Sequence, residues 1–256
     1  MTVGIFDSGS GGLTVVRAFD RLMPDADIVY FGDTGRVPYG TRSEAQLRRF
    51  AGEDFELLKA LGADRAVVAC GTISTLLCRK GYPKMPLEYS AVIEGAAKKA
   101  ASVSKTGRIA VLGTESTVRN RGFESSILRI RPDASVIFAK CQEFVTLCEE
   151  GRTSEDDPEV AECAERLLAP IRGKCDTVIL GCTHFPLLRG AISRVLPGQE
   201  LIDCSYEAVA DSLELIRPGS GTRKFYVSGS AHAFRKNAGT FLGYSPEVGF
   251  ARAGEI

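Results

Sequence analysis

The sequence predicts an α/β protein built as two similar doubly wound parallel-sheet domains, related by pseudo-symmetry, with the functional site between them. Three features of the chain point there. Short apolar runs alternate with helical stretches at the spacing of a mostly parallel sheet covered by helices. One pattern, an apolar strand closed by a cysteine with a threonine just after it, occurs twice: Arg65-Ala66-Val67-Val68-Ala69-Cys70-Gly71-Thr72 and Asp176-Thr177-Val178-Ile179-Leu180-Gly181-Cys182-Thr183. Two further strand segments repeat at a similar spacing, so that all three correspondences lie about 107 to 112 residues apart. That period is too long for a solenoid and reads as a degenerate internal duplication.

The elements follow in order. Val3-Gly4-Ile5-Phe6-Asp7 is an apolar strand running into Ser8-Gly9-Ser10-Gly11-Gly12, where glycines let backbone N–H groups approach an anion at the start of a helix near Leu13. As a dinucleotide fingerprint this loop fails, because Thr14 stands at the third glycine position, and it lacks the lysine of a P-loop. A carboxylate suits it as well as a phosphate, and glycine content alone is equally consistent with a plain tight turn. Ile28-Val29-Tyr30-Phe31 is the next strand, and the stretch from Gly32 to Gly40 is too polar and glycine-rich for anything but a loop. Ser43 opens a capping box with Gln46 and a helix to about Leu61, on which Arg48 and Arg49 read as a solvated face. The Cys70 strand and its helix follow. Punctuation from Gly81 to Pro86 leads into a strand from Leu87 to Val92.

A second unit starts near Ile93 with a helix from Glu94 to Ala101. The strand Arg108 to Gly113 and the polar turn Thr114-Glu115-Ser116-Thr117 then mirror Ile5 to Ser8, and Ser135 to Phe138 mirrors Asp27 to Tyr30. Gln142 to Glu149 reads as helix and Gly151 to Ser154 as a break, and Asp157 caps a further helix with Pro158 in its first turn. The Cys182 strand follows, with Pro186 placed to open the next helix. After Leu201-Ile202-Asp203 come a helix from Tyr206 to Ile216, a strand from Lys224 to Val227 and a helix from about Ala231. These last elements are too few for a domain and are expected to return and complete the first one. The expected division is residues 1–92 plus 207–256 as one domain and 93–206 as the other.

Composition sets the class. With 44% hydrophobic and 25% charged residues in a chain of 256, there is enough apolar material for a real core. The 32 basic residues balance 32 acidic ones, so no overall field recruits nucleic acid or a membrane surface. No apolar run approaches the ~18 residues that span a bilayer, and the first residues read as a strand rather than a signal peptide, so a cytoplasmic protein is expected. Eight cysteines stand at positions 70, 78, 141, 148, 163, 175, 182 and 204 without any C-x-x-C pair. Neither a zinc knuckle nor a thioredoxin-type motif is present, and reduced thiols are expected.

A lone cysteine ending a strand is usually a packing residue. Two at matching positions are harder to assign to packing, and His184, one of only two histidines, lies two residues after the second and could serve as its base. In open α/β sheets, ligands bind outside the carboxyl ends of strands, where both thiols fall. One site with a thiol on each side is the expectation.

With these motifs in place, the chain resembles the glutamate racemases of the aspartate/glutamate racemase superfamily. The matching stretches are Gly4 to Thr14, Tyr30 to Gly40, Val92-Ile93-Glu94, Gly113 to Arg119 and Gly181 to Leu188; the last 50 or so residues match only in general character. The resemblance implies two facing α/β domains with glutamate between them, no cofactor and no metal, and a role in supplying D-glutamate for peptidoglycan. It also implies site residues. Cys70 and Cys182 would be the paired acid and base, with Asp7 the partner of Cys70. His184, together with a carboxylate at Glu149 or Glu150, would be the partner of Cys182. Ser8, Tyr39, Gly40, Thr72, Thr114, Thr117 and Thr183, with Asp7 and His184, match positions that hold the substrate. One departure stands out: the family pattern Cys-Asn-Thr is here Cys70-Gly71-Thr72, which removes a side chain that would contact the substrate. Racemisation of another acidic amino acid such as aspartate is the nearer alternative. A decarboxylase or one-cysteine isomerase fits less well with two thiols retained, and an amino-acid-binding homologue without turnover is the non-enzymatic alternative. The expected partner is a small molecule, with neither nucleic acid nor membrane, and the oligomeric state stays open, a homodimer included.

The chemistry explains why these residue types would be needed. Inverting a stereocentre means removing the α-proton from one face and returning a proton to the other, which suits two groups on opposite sides. A free thiol titrates near ~8.5, close enough to neutrality for both protonation states to be reached after tuning by polar neighbours.

Overall fold

The computed structural model describes residues 1–255, and its core is two parallel sheets with the same strand order. The first sheet takes β1 (Thr2–Asp7), β2 (Asp27–Gly32), β3 (Arg65–Val68) and β4 (Glu88–Ala91). The second takes β5 (Arg108–Gly113), β6 (Ser135–Lys140), β7 (Thr177–Leu180) and β8 (Glu200–Asp203). Their orders are β2-β1-β3-β4 and β6-β5-β7-β8, and every neighbouring pair is parallel. The internal duplication is therefore a duplication of topology. Two late strands, β9 (Arg223–Val227) and β10 (Val248–Phe250), extend the first sheet beyond β2.

The connections are helical. In the first half they are α1 (Leu13–Leu22), α2 (Glu44–Ala60) and α3 (Gly71–Arg79), and α4 (Val92–Val103) leads out of it. The second half has α5 (Glu115–Asn120), α6 (Gly122–Ile130), α7 (Gln142–Glu149), α8 (Pro158–Leu168) and α9 (Arg189–Val195). The last helices are α10 (Cys204–Ala210) and α11 (Ala231–Leu242). Their starts are written in the sequence: Ser43 and Gln46 close a full capping box on α2, and Asp157 caps α8 ahead of Pro158. One continuous apolar core runs from Val3 and Ile5 of β1 through Val111 and Ile179 of the second sheet to Phe234 and Phe241 of α11. Burying both faces of each parallel sheet explains why its strands read as unbroken apolar runs.

Several elements differ from expectation: α4 begins at Val92, inside the run read as a strand, and α6 is an unforeseen helix. The helix expected from Tyr206 to Ile216 starts at Cys204, because Asp203 accepts from the amides of Ser205 (2.9 Å) and Tyr206 (3.1 Å). It ends at Ala210, where the Ser212 hydroxyl donates back to Ala208 and Val209, and Leu213–Leu215 is a separate 3₁₀ turn. Pro186 opens a 3₁₀ turn, Phe185–Leu188, with α9 following it. β10 is an unforeseen strand, three residues long and with Phe250 exposed, so it carries no apolar run to recognise.

Candidate active site

Each half builds one end of the site in the same way. In the first sheet the amide of Ala69 bonds to Phe6 O (3.0 Å), one residue past the end of β3, and Cys70 comes next as the N-cap of α3. In the second, the amide of Gly181 bonds to Leu112 O (2.9 Å), and Cys182 comes next. Both thiols thus stand two residues beyond the carboxyl end of a strand beside the central one, the position where α/β sheets present ligands.

The two thiols differ in surroundings. Cys70 is buried, and its Sγ donates to Ser8 Oγ at 3.8 Å. Burial, and then the nearby Asp7 charge, push its thiol up to about 12; the first-turn amides of Ile73 and Thr72 and the Ser8 hydroxyl oppose the rise. Cys182 is only partly buried and lies 3.7 Å from His184 Nδ1. Burial by itself would lower the basicity of His184, but Cys182, Glu149 and Asp7 outweigh it and raise the imidazole to about 10. Glu149, not Glu150, is the carboxylate behind it, with Oε1 3.5 Å from His184 Nε2. Nε2 forms no aligned hydrogen bond, so this contact is a charge attraction, and it holds Glu149 below the usual carboxylate range. Two neighbours that the sequence reading did not single out fix the histidine. The Cys148 thiol donates to its carbonyl (3.4 Å), and Phe241 of α11 meets its ring edge-on, centroids 5.2 Å apart.

The glycine loop joins the halves. A side chain at Gly11 would place Cβ 2.5 Å from both His184 Cε1 and Thr183 Oγ1, so only glycine lets β1's loop lie against the second cysteine's turn. Further along, Thr14 and Ser205 share a buried 2.7 Å hydrogen bond, and Arg119 donates to Gly40 O at 3.3 Å. Asp7, expected beside Cys70, accepts the amide of Gly12 at 2.7 Å; its influence on Cys70 and His184 is through charge, and the direct hydrogen bond to Cys70 belongs to Ser8.

The remaining expected residues divide into open and committed groups. Gly71 and Thr72 sit half-buried in the first turn of α3. Thr114 caps α5 by accepting from Thr117 N (3.4 Å), the two hydroxyls also being 3.2 Å apart, and Thr183 is buried beside Gly11. The Tyr39 hydroxyl is committed elsewhere. It donates to the buried carboxylates of Asp33 and Asp54, which also bind the Arg36 guanidinium. Burial and the Asp33 charge raise the Asp54 carboxyl well above its ordinary range. The readable signal for this cluster is Asp54 itself, a charge placed in the buried series Phe50, Ala51, Phe55, Leu57 and Leu58 of α2.

Comparison with known proteins turns on the same motifs. Residues 13–211 match the Asp/Glu/Hydantoin racemase family. A glutamate racemase of Aquifex aeolicus is 39% identical over 249 residues, covering 96% of each chain. The chain belongs to the glutamate racemase family. The structure of a glutamate racemase isoform from Bacillus anthracis superposes with a TM-score of 0.89 at 31% identity, covering 98% of this chain and 97% of that one. A glutamate racemase from Francisella tularensis solved with D-glutamate gives a TM-score of 0.85 at 28% identity, covering 100% and 98%. This racemase is thus an isomerase with two parallel-sheet α/β halves. Among the described residues no helix is long and apolar enough to cross a membrane, and no group of three or more His, Cys, Asp or Glu is placed to hold a metal ion. All eight cysteines are free thiols, seven of them buried.

Proposed function

We propose that this racemase interconverts L- and D-glutamate by two-base proton transfer between Cys70 and Cys182, using its own side chains and no cofactor, and so supplies D-glutamate for peptidoglycan in the cytoplasm. The observation that carries the reading is the pair of thiols at equivalent strand ends of two sheets that share one four-strand order, each with its own polar partner. The moving bodies in this reading are residues 1–92 plus 207–256 and 93–206, with α10 lying across the boundary. Closing them over the amino acid would exclude water and align the sulfurs.

The surroundings of Cys70 favour one starting state in this reading. A Cys70 thiol pushed up to about 12 keeps its proton at neutral pH and is the acid. Cys182 lies 3.7 Å from His184 Nδ1, with Glu149 behind the ring at 3.5 Å from Nε2, so the imidazole is placed to take up the proton that Cys182 gives and to return it. The enantiomer whose α-hydrogen points at Cys182 loses it to the Cys182 sulfur once His184 has taken the thiol proton, and Cys70 delivers a proton to the opposite face. The reverse reaction starts with the roles exchanged. Hydroxyls of Ser8, Thr72, Thr114, Thr117 and Thr183 are the groups available to steady negative charge that develops toward the carboxylate.

Polarimetric assay of both enantiomers of glutamate and of aspartate tests the substrate. Glutamate should be racemised; turnover of aspartate alone would replace the substrate, and saturable binding without turnover would replace the enzyme reading. The partners have their own test. Enantiomers have equal free energy in water, so kcat/KM must stay equal in the two directions for every variant. Asp7→Asn and His184→Asn should therefore lower kcat by ~10²-fold or more, changing kcat and KM unequally between the directions, since each group serves one face. Small and equal changes in both directions would return Asp7 and His184 to a structural role.

A further inference from the structure

Tyr30 lies at the centre of β2, fully buried, and its hydroxyl donates to Gly9 O at 2.7 Å. That carbonyl belongs to the loop after β1, which touches the surroundings of both thiols. Ser8 of this loop accepts from Cys70, Gly12 binds Asp7, and Gly11 is where Thr183 and His184 of the second half rest. The ring of Tyr30 is held in turn by the late elements, with Phe225 of β9 at 6.1 Å and Phe234 of α11 at 5.7 Å between centroids. A buried phenol with a single hydrogen bond is an expensive way to fill a core that Phe would fill as well, since a buried polar group left unpaired is destabilising.

We infer that Tyr30 is a positioning residue for the reaction: its hydroxyl pins the Gly9 carbonyl and so sets the height of the Ser8–Gly12 loop against both Cys70 and the Thr183–His184 turn. This rests on the two-thiol reading above. It also gives the late return of the chain to the first sheet a function, because β9 and α11 supply the aromatic wall that orients this phenol. A group that holds the shared loop differs from one that serves a single face. Its loss should affect both directions alike, since Ser8 and Gly11 move together.

The test compares wild type, Tyr30→Phe and a variant with 4-aminophenylalanine at position 30, all as the full chain. The measurements are initial rates in both directions, thermal melts, and amide exchange at Gly12. Tyr30→Phe keeps the ring and removes only the donor; kcat should fall roughly tenfold in both directions, with KM within about twofold. The amino variant keeps an N–H donor at the same place and should recover most of the rate. Wild-type kcat in Tyr30→Phe overturns the assignment. So does a folded amino variant as slow as the Phe variant; if Tyr30→Phe does not fold, a folded amino variant slowed tenfold or more from wild type overturns it instead. Should the wild type fail to racemise glutamate, the parent reading falls and Tyr30 is judged by exchange alone. Faster exchange at Gly12 in Tyr30→Phe would support the positioning role, and unchanged exchange would end it.

Discussion

Cys70→Ala and Cys182→Ala should each abolish racemisation in both directions, a loss of at least ~10³-fold. The expectation is symmetric even though the two surroundings are not. One face must lose a proton and the other must gain one, so each thiol is needed in every turnover, as base in one direction and as acid in the other. A single remaining thiol would return its proton to the face it came from. Folding should be far less affected. Each substitution removes one sulfur from a strand-end position, within the ordinary range of about 0.5–3 kcal/mol for point changes, and breaks only the weak contacts of Cys70 to Ser8 and Cys182 to His184. In deuterated water, wild type should place solvent deuterium at the α-carbon of the newly formed antipode. Substantial racemisation by either alanine variant would sink the two-base scheme.

How much of this was legible beforehand depended on the range of the interactions. Alternation of apolar runs and helices identified the paired sheets because parallel strands are buried on both faces, and the repeated strand-cysteine pattern located both thiols at strand ends. Capping is equally local, so Ser43 and Asp157 marked their helices correctly. What the chain did not reveal is settled by contacts between distant segments. The choice of Glu149 over Glu150 depends on which side of α7 faces His184. The Tyr39 hydroxyl looks available in sequence, and only the approach of α2 to the Gly32–Gly40 loop commits it to Asp33 and Asp54. Likewise, Phe241 against His184 joins residues from opposite halves, and no spacing along the chain encodes it.

Gly71→Asn should raise kcat/KM for glutamate by roughly 10- to 150-fold. The figure follows from the hydrogen bond to a charged group that glycine cannot make, worth about 1.5–3 kcal/mol. The local structure leaves room for the change. A Cβ built at Gly71 meets no atom within 4 Å, and the position opens α3 directly after its cap residue Cys70. Asparagine is no worse than glycine in a helix and should cost little stability. The amide would project beside Cys70, next to Thr72, into space that a bound water could otherwise fill with part of the same effect. Wild type should therefore racemise glutamate detectably but with weaker substrate use, and kinetic constants for both proteins, measured in both directions, decide the point. If Gly71→Asn lowers activity while the wild type is already efficient, the pocket has been rebuilt around glycine. If both proteins ignore glutamate and racemise another amino acid, the substrate assignment fails and the two-thiol mechanism stands.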